Sequence, residues 1–240
     1  MQTRATYKVS GESLSSRSHG ATHAVEIDRF RFVAEEIHSV IGAGHEVLLV
    51  VGGGNFFRGS DQGIWPLSRR EADEVGMIAT AMNALLLRSV LRDSGLCPRV
   101  FSRGILGGLE HRWSADSADD WLRHHRVAIV AGGVGIPFVS SDYAAVHHAV
   151  ELNATRVLAA KNRTDGVYDS DPNANPRARK FNEVSCSTII KAGIEVMDFA
   201  SIDLARRFGV EIDVFDALLP GAALSALTHS GFPGTVIHPH

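Results

Sequence analysis

Residues 52–59 read Gly52-Gly53-Gly54-Asn55-Phe56-Phe57-Arg58-Gly59 and directly follow the apolar run Val47-Leu48-Leu49-Val50-Val51. A buried strand that ends in consecutive glycines lets an anionic ligand approach backbone N–H groups, and glycine permits the positive φ angles of a tight anion nest. Arg58 adds a planar, permanently charged fork suited to phosphate oxygens. Taken alone, the three glycines fit an ordinary strand-to-helix turn equally well. Three further segments favour the phosphate reading: Lys8-Val9-Ser10-Gly11, a second glycine loop opening with Gly132-Gly133-Val134-Gly135, and Asp165-Gly166-Val167-Tyr168-Asp169-Ser170-Asp171-Pro172. A lysine, an arginine and two glycine loops suit a polyphosphate better than a single carboxylate. The chemistry such a set serves is phosphoryl transfer, which asks a protein for alignment and for cancellation of charge on the moving group.

Those segments need a frame that brings them to one edge. Apolar runs at 6–10, 47–51, 127–131, 157–160 and 212–215 read as strands. They alternate with helical patterns at 30–41, 70–93, 142–153, 185–192 and 198–208, while the small, polar residues 12–24 read as a loop. In the first helix Phe30, Val33, Ile37 and Ile41 mark one buried face. In the longest, Val75, Ile78, Met82, Leu85, Leu86 and Val90 form the apolar side, and Gly95 and Pro98 end it. The alternation predicts an α/β fold, a mostly parallel central sheet of about eight strands sandwiched by helices. Each chemical segment lies just beyond a predicted strand, and open α/β sheets bind ligands at the carboxyl ends of their strands.

Composition narrows the partners. With 240 residues, 45% of them hydrophobic, the chain can bury the core of one domain. A net charge of −3 gives no global footprint for nucleic acid, so any anion is bound locally. Cys97 and Cys186 lie far apart and suggest neither a disulfide framework nor a zinc site, which fits a reducing cytosol. No apolar run approaches the roughly 20 residues of a membrane span, and the polar N-terminus lacks a signal peptide's apolar region. A soluble cytoplasmic protein is expected, with neither nucleic acid nor membrane as partner. The twelve histidines, His147-His148 among them, have no carboxylate or cysteine at ligand spacing, so no metal site is expected.

The motifs, in this order, resemble the bacterial UMP kinases of the amino acid kinase family over nearly the whole chain. Lys8-Val9-Ser10-Gly11-Glu12 is similar to the family's Lys-x-Ser-Gly-Glu opening, and residues 51–59 to its signature glycine loop. Asp73-Glu74-Val75-Gly76-Met77 resembles the Asp-x-x-Gly-Met helix start. Ala159-Ala160-Lys161-Asn162, residues 165–172 and Val196-Met197-Asp198 resemble the nucleotide segment and the Val-Met-Asp motif. The resemblance implies the amino acid kinase fold in a single domain, with about 1–150 serving acceptor binding and oligomerisation and about 151–240 binding ATP. It implies that Lys8, Val9, Ser10, Gly11, Gly54, Arg58, Asn162, Tyr168 and Asp171 bind ATP, with Tyr168 stacking near the adenine. Gly53, Asp73 and residues of the 134–141 loop would face the acceptor. Asp73 also reads as a charge at a helix N-terminus, and Asp198 as a helix cap. Lys8, Lys161, Asp142 and Asp198 would organise charge around the transferred phosphoryl group. The resemblance further implies Mg²⁺ brought in with ATP, a homohexamer built from dimers, and a GTP effector, for which Arg88 and Arg92 on the long helix are candidates.

In the acceptor loop the chain departs from its relatives. UMP kinases typically read Thr-Gly-Asn-Pro, whereas this chain has Val134-Gly135-Ile136-Pro137-Phe138-Val139-Ser140-Ser141-Asp142. Ser140, Ser141 and Asp142 keep hydroxyl and carboxylate chemistry, but Val134 and Ile136 cannot hydrogen-bond a base edge. UMP is the expected acceptor if backbone groups read the base. Otherwise the acceptor is another pyrimidine nucleotide or a small phosphorylated metabolite. A non-catalytic nucleotide sensor is a further reading, against which the retained lysines argue.

Overall fold

The run Glu46–Val51, five of its six residues aliphatic, suits a strand covered on both faces. In the computed structural model it is one: β2 (Glu46–Val51) is buried throughout and lies between β1 (Arg4–Val9) and β5 (Val127–Val130), parallel to both. The structure describes residues 2–15, 24–57, 65–103, 108, 111–162, 164–172 and 174–240. Among them the main sheet has nine strands. Their order is β4 (His111–Arg112), β3 (Arg99–Ser102), β5, β2, β1, β6 (Arg156–Lys161), β10 (Glu211–Asp216), β11 (Thr235–His238) and β9 (Glu183–Ser185). From β4 to β10 every pairing is parallel, β11 runs antiparallel to β10, and β9 is parallel to β11. A separate hairpin pairs β7 (Val167–Tyr168) with β8 (Lys180–Phe181). The expected α/β sandwich is therefore present, with nine strands against about eight expected. The four strands that no apolar run marked are short: β3 and β11 have four residues each, β4 two and β9 three.

Two cores form, one on each face of the sheet. Helices α1 (Ile27–Gly42), α2 (Arg69–Asp93) and α7 (Ala222–Thr228) cover one face. The other is covered by α3 (Ala115–His125), α4 (Ser141–Glu151), α5 (Cys186–Ala192) and α6 (Phe199–Phe208). The period of two along a strand sorts the residues between them. Ala5, Tyr7 and Val9 of β1 enter the first core, which leaves Lys8 on the α4 side. In β6, Val157 and Ala159 enter the second core, so Lys161 emerges on that same side. Strand parity thus brings the two lysines together. β1 ends at Val9, and Ser10 opens a 3₁₀ turn over Gly11–Leu14 at the start of the expected 12–24 loop; residues 16–23 lie outside the described residues.

The orientation of α2 corrects the sequence reading. Ser68 and Glu71 cap its start reciprocally. Its buried face is made of Ala72, Ala79, Ala81, Ala84, Leu87 and Leu91, whereas Val75, Ile78, Met82 and Leu86 are exposed. Small side chains win the sheet-facing position because they let the helix approach the sheet and the first glycine loop closely; of the expected stripe, Val90 still packs against the first core. By length and composition α2 could cross a membrane, but its alanine face packs on the sheet and on α1 as a core helix does.

Candidate functional site

At the carboxyl edge of β1 and β2 the two glycine-bearing segments interlock. The Gly52 N–H donates to the Val9 carbonyl at 2.8 Å. A Cβ on Gly11 would lie 2.5 Å from the Gly54 nitrogen, and one on Gly52 would lie 2.9 Å from the Gly11 nitrogen. Gly53 presses on α2, where a Cβ would meet Gly76 O and Ala79 Cβ at 2.8 Å. None of Gly52, Gly53 and Gly54 has a positive φ, so close approach, rather than the left-handed nest expected from sequence, is what requires glycine here. Two fully buried amides brace the loop: Asn83 Nδ2 donates to Gly52 O and to Asn55 Oδ1, both at 2.7 Å. The Val9 side chain belongs to the core, leaving only its backbone toward the site. Arg58 lies outside the described residues.

The second glycine loop is built differently. Gly132, Gly133, Gly135 and Phe138 have φ of 77°, 56°, 79° and 68°, the region that side chains resist. Thr80 of α2 accepts from the Gly132 N–H at 2.7 Å, and Asp73 accepts from the Phe138 N–H at 2.8 Å. Arg69 Nε reaches both Asp73 oxygens at 3.0 Å. Asp73 is thus a pin between helix and loop in addition to facing the cleft. A cavity of about 240 Å³ opens between the two loops and α2. Of the expected acceptor residues, Gly53, Asp73, Val134, Ile136 and Ser141 line it. Gly135, Pro137, Phe138 and Ser140 do not: Gly135 abuts the Arg103 side chain, and Phe138 is 66% exposed. Val134 also packs against the second core, whereas Ile136 is 58% exposed. Phe57, Met77, Thr80 and Val139 line the cavity without having been expected. For Thr80 and Asn83 a signal existed, since polar residues three apart on a buried alanine face must have partners.

Between this cavity and the next sits a charge cluster. Lys8 Nζ lies 2.9 Å from Asp142 Oδ1, and Lys161 Nζ donates to Asp142 Oδ2 at 3.0 Å. All three side chains are largely buried. Burial pushes the Asp142 carboxyl up, but the two ammonium groups outweigh it and hold the group at about 2, ionised across the neutral range. Burial draws Lys161 below the usual lysine range, against the opposing pull of Asp142. Asp142 lies in the first turn of α4, whose cap Ser140 accepts from the Tyr143 N–H at 3.0 Å and donates its hydroxyl to Asp198. The other Asp198 oxygen accepts from the Ser201 N–H at 2.8 Å and so caps α6. Asp198 is therefore a helix cap and also a charge felt by Lys161.

Beyond Lys161 a cleft of about 460 Å³ is lined by Lys161, Tyr168 and Asp171, together with Gly166, Gly193 and Glu195. Asn162, next to Lys161, stands outside its lining. The β7–β8 hairpin forms one wall and is pinned from the far end of the chain. Thr235 accepts from the Val167 N–H at 2.8 Å and donates to the Phe181 carbonyl at 2.5 Å. Lys180 joins Asp165 at 2.9 Å to the Pro233 carbonyl at 2.8 Å. Tyr168 donates its hydroxyl to Asp165 at 2.7 Å. Nothing in the local sequence marks Thr235. No group of three or more His, Cys, Asp or Glu that could hold a metal ion occurs among the described residues, and the acids of the charge cluster already have partners.

The amino acid kinase family model matches residues 4–216. The uridylate kinase of Frankia casuarinae is 40% identical over 235 residues, covering 98% of this chain and 89% of that one. The uridylate kinase of Rickettsia prowazekii is 40% identical over 208 residues, 87% of this chain and 84% of its own. Among solved structures, UMP kinase from Bacillus anthracis superposes with a TM-score of 0.92 at 32% identity, covering 98% of this chain and 96% of that one. UMP kinase from Ureaplasma parvum gives 0.91 at 28% identity, covering 99% of each. With the sheet, the two glycine loops and the lysine pair in place, these likenesses identify the chain as a member of the amino acid kinase family, within its uridylate kinase group.

Proposed function

We propose that this protein transfers the γ-phosphoryl group of ATP to UMP, yielding ADP and UDP. The observation that carries this reading is the Lys8–Asp142–Lys161 cluster: Lys161 lines the larger cleft, and Ser141, next to Asp142, lines the smaller one. ATP occupies the cleft beside the β7–β8 hairpin, and UMP the cavity between the glycine loops. A UMP phosphate oxygen attacks Pγ in line, the new O–P bond forms as the Pγ–O bond to ADP breaks, and the electron pair leaves on the ADP β-phosphate. A phosphate acceptor is ionised at neutral pH and needs no protein base. Lys8 and Lys161 supply the positive charge that the moving group requires, with Asp142 holding both ammonium groups in place beforehand. Asp198, through Ser140, ties the start of α4 to the start of α6 and keeps this arrangement rigid. Mg²⁺, bound to the ATP phosphates, would offset their charge.

The names of the relatives and the order of the motifs support UMP, and nothing in them favours another acceptor. A nucleotide sensor would have no use for two lysines at the junction of two clefts. We further propose that residues up to about 150 serve the acceptor and self-association and the remainder ATP. The homohexamer of dimers is the expected assembly, and the exposed Val75, Ile78, Met82 and Leu86 supply an apolar face for it. GTP is the expected effector, and the cytoplasm the expected compartment.

The decisive assay is coupled ADP release with ATP and Mg²⁺ against UMP, CMP, dUMP, dTMP, AMP and GMP, with and without GTP. Turnover confined to UMP is the expected result, and turnover of another nucleotide alone would overturn the acceptor assignment. Lys8→Ala is expected to lower kcat by on the order of 10³-fold, the scale of losing one preorganised charge at a transition state, while the protein stays folded by circular dichroism. Near-normal turnover would remove Lys8 from the mechanism.

A further inference from the structure

Behind the second glycine loop lies a group of side chains that the transfer chemistry leaves unused. His148 of α4 is fully buried. Its Nδ1 lies 2.8 Å from a Glu151 carboxylate oxygen and its Nε2 3.1 Å from the Gly133 carbonyl oxygen. The ring therefore spans the Glu151 carboxylate and the loop carbonyl, and Glu151 anchors it on α4. Burial pushes the Glu151 carboxyl up, but the hydrogen bond from His148 and the positive charge of its neighbours bring it down to about 2.

The same carboxylate carries a second leg. Arg103 Nη2 lies 3.1 Å from Glu151 Oε1, and the Arg103 stem fills the space beside Gly135, where a Cβ would meet it at 2.8 Å. His147 Nε2 lies 3.6 Å from Glu151, and the Trp113 ring packs 4.3 Å from the His148 ring. Two arms from Glu151 therefore reach Gly133 and Gly135. Those glycines sit in left-handed conformations and have no side chains with which to hold the loop themselves.

We propose that His148, held by Glu151, is a positioning residue for the acceptor: by fixing the Gly133 carbonyl it sets the backbone shape of the loop that lines the UMP cavity. The inference rests on the assignment of that cavity to the acceptor. His148→Phe keeps an aromatic ring against Trp113 but removes both ring nitrogens. It is expected to raise KM for UMP about tenfold, the worth of a buried hydrogen bond to a charged group, while KM for ATP stays within about twofold. Glu151→Gln, which keeps the shape and removes the charge, is expected to shift KM for UMP in the same direction by less. It also serves should His148→Phe fail to fold.

One readout needs no turnover: hydrogen exchange at residues 132–135 is expected to quicken in both variants. Should the wild-type protein phosphorylate nothing, the proposed function fails while exchange still tests the positioning. Unchanged exchange, or equal rises in both KM values, would overturn the role of His148.

Discussion

The two glycine loops follow adjacent parallel strands, β2 and β5, and look alike in sequence, yet glycine serves a different end in each. At Gly52 and Gly53 the backbone is ordinary and the space is missing: the Gly11 nitrogen, Gly76 O and Thr80 N stand where a Cβ would go. At Gly132 and Gly133 the conformation is left-handed, and around Gly133 the space is free apart from Ala144 Cβ at 3.6 Å. The first loop is locked by packing on α2 and braced by the Asn55–Asn83 pair, whereas the second is held by hydrogen bonds to Thr80 and Asp73 and by the contact with His148. One motif thus has two physical origins, and substitution separates them.

The largest difference is expected at Gly53→Ala. The new methyl meets backbone atoms of α2 that move only with the whole helix, so a loss of about 3 kcal/mol is expected, read as a lower urea midpoint. Gly133→Ala has room for its methyl and meets only the left-handed penalty, about 1 kcal/mol by the same measurement. A greater loss at Gly133 than at Gly53 would reverse the comparison. The smallest effect on stability belongs to Ile136→Asn, an exposed position lining the cavity. Its midpoint is expected to stay put while preference for UMP over CMP sharpens by up to about tenfold, one hydrogen bond's worth. An unchanged ratio would show that backbone groups read the base.

Much of the candidate site is legible in the sequence. Lys8, Lys161 and Asp142 were singled out from motifs and meet within 3.0 Å. Asp73, Tyr168 and Asp171 were likewise found on the two clefts. Asp198 was read both as a helix cap and as a charge near the phosphate, and the structure joins the two through Ser140. Less was legible where a residue's role depends on what lies opposite. The stripe Val75, Ile78, Met82, Leu85, Leu86 and Val90 has helical spacing and reads as the apolar side of α2, yet Val90 packs against the first core while Val75, Ile78, Met82 and Leu86 are exposed: periodicity reports that a helix has an apolar face and not which face packs. Thr235 gave no signal, because its partners Val167 and Phe181 lie far away in sequence.

The sequence alone determined the α/β class and the order of the chemical segments. These follow from short-range rules: apolar runs, helical periodicity and glycines after strands. Tertiary structure alone decided that Asp142 joins two lysines, that Asn55 and Asn83 brace one loop, and that His148 and Glu151 brace the other. Each is a contact between groups that acquire a partner only once the sheet and helices have closed, when every buried donor and acceptor has to be satisfied by whatever the fold has placed beside it.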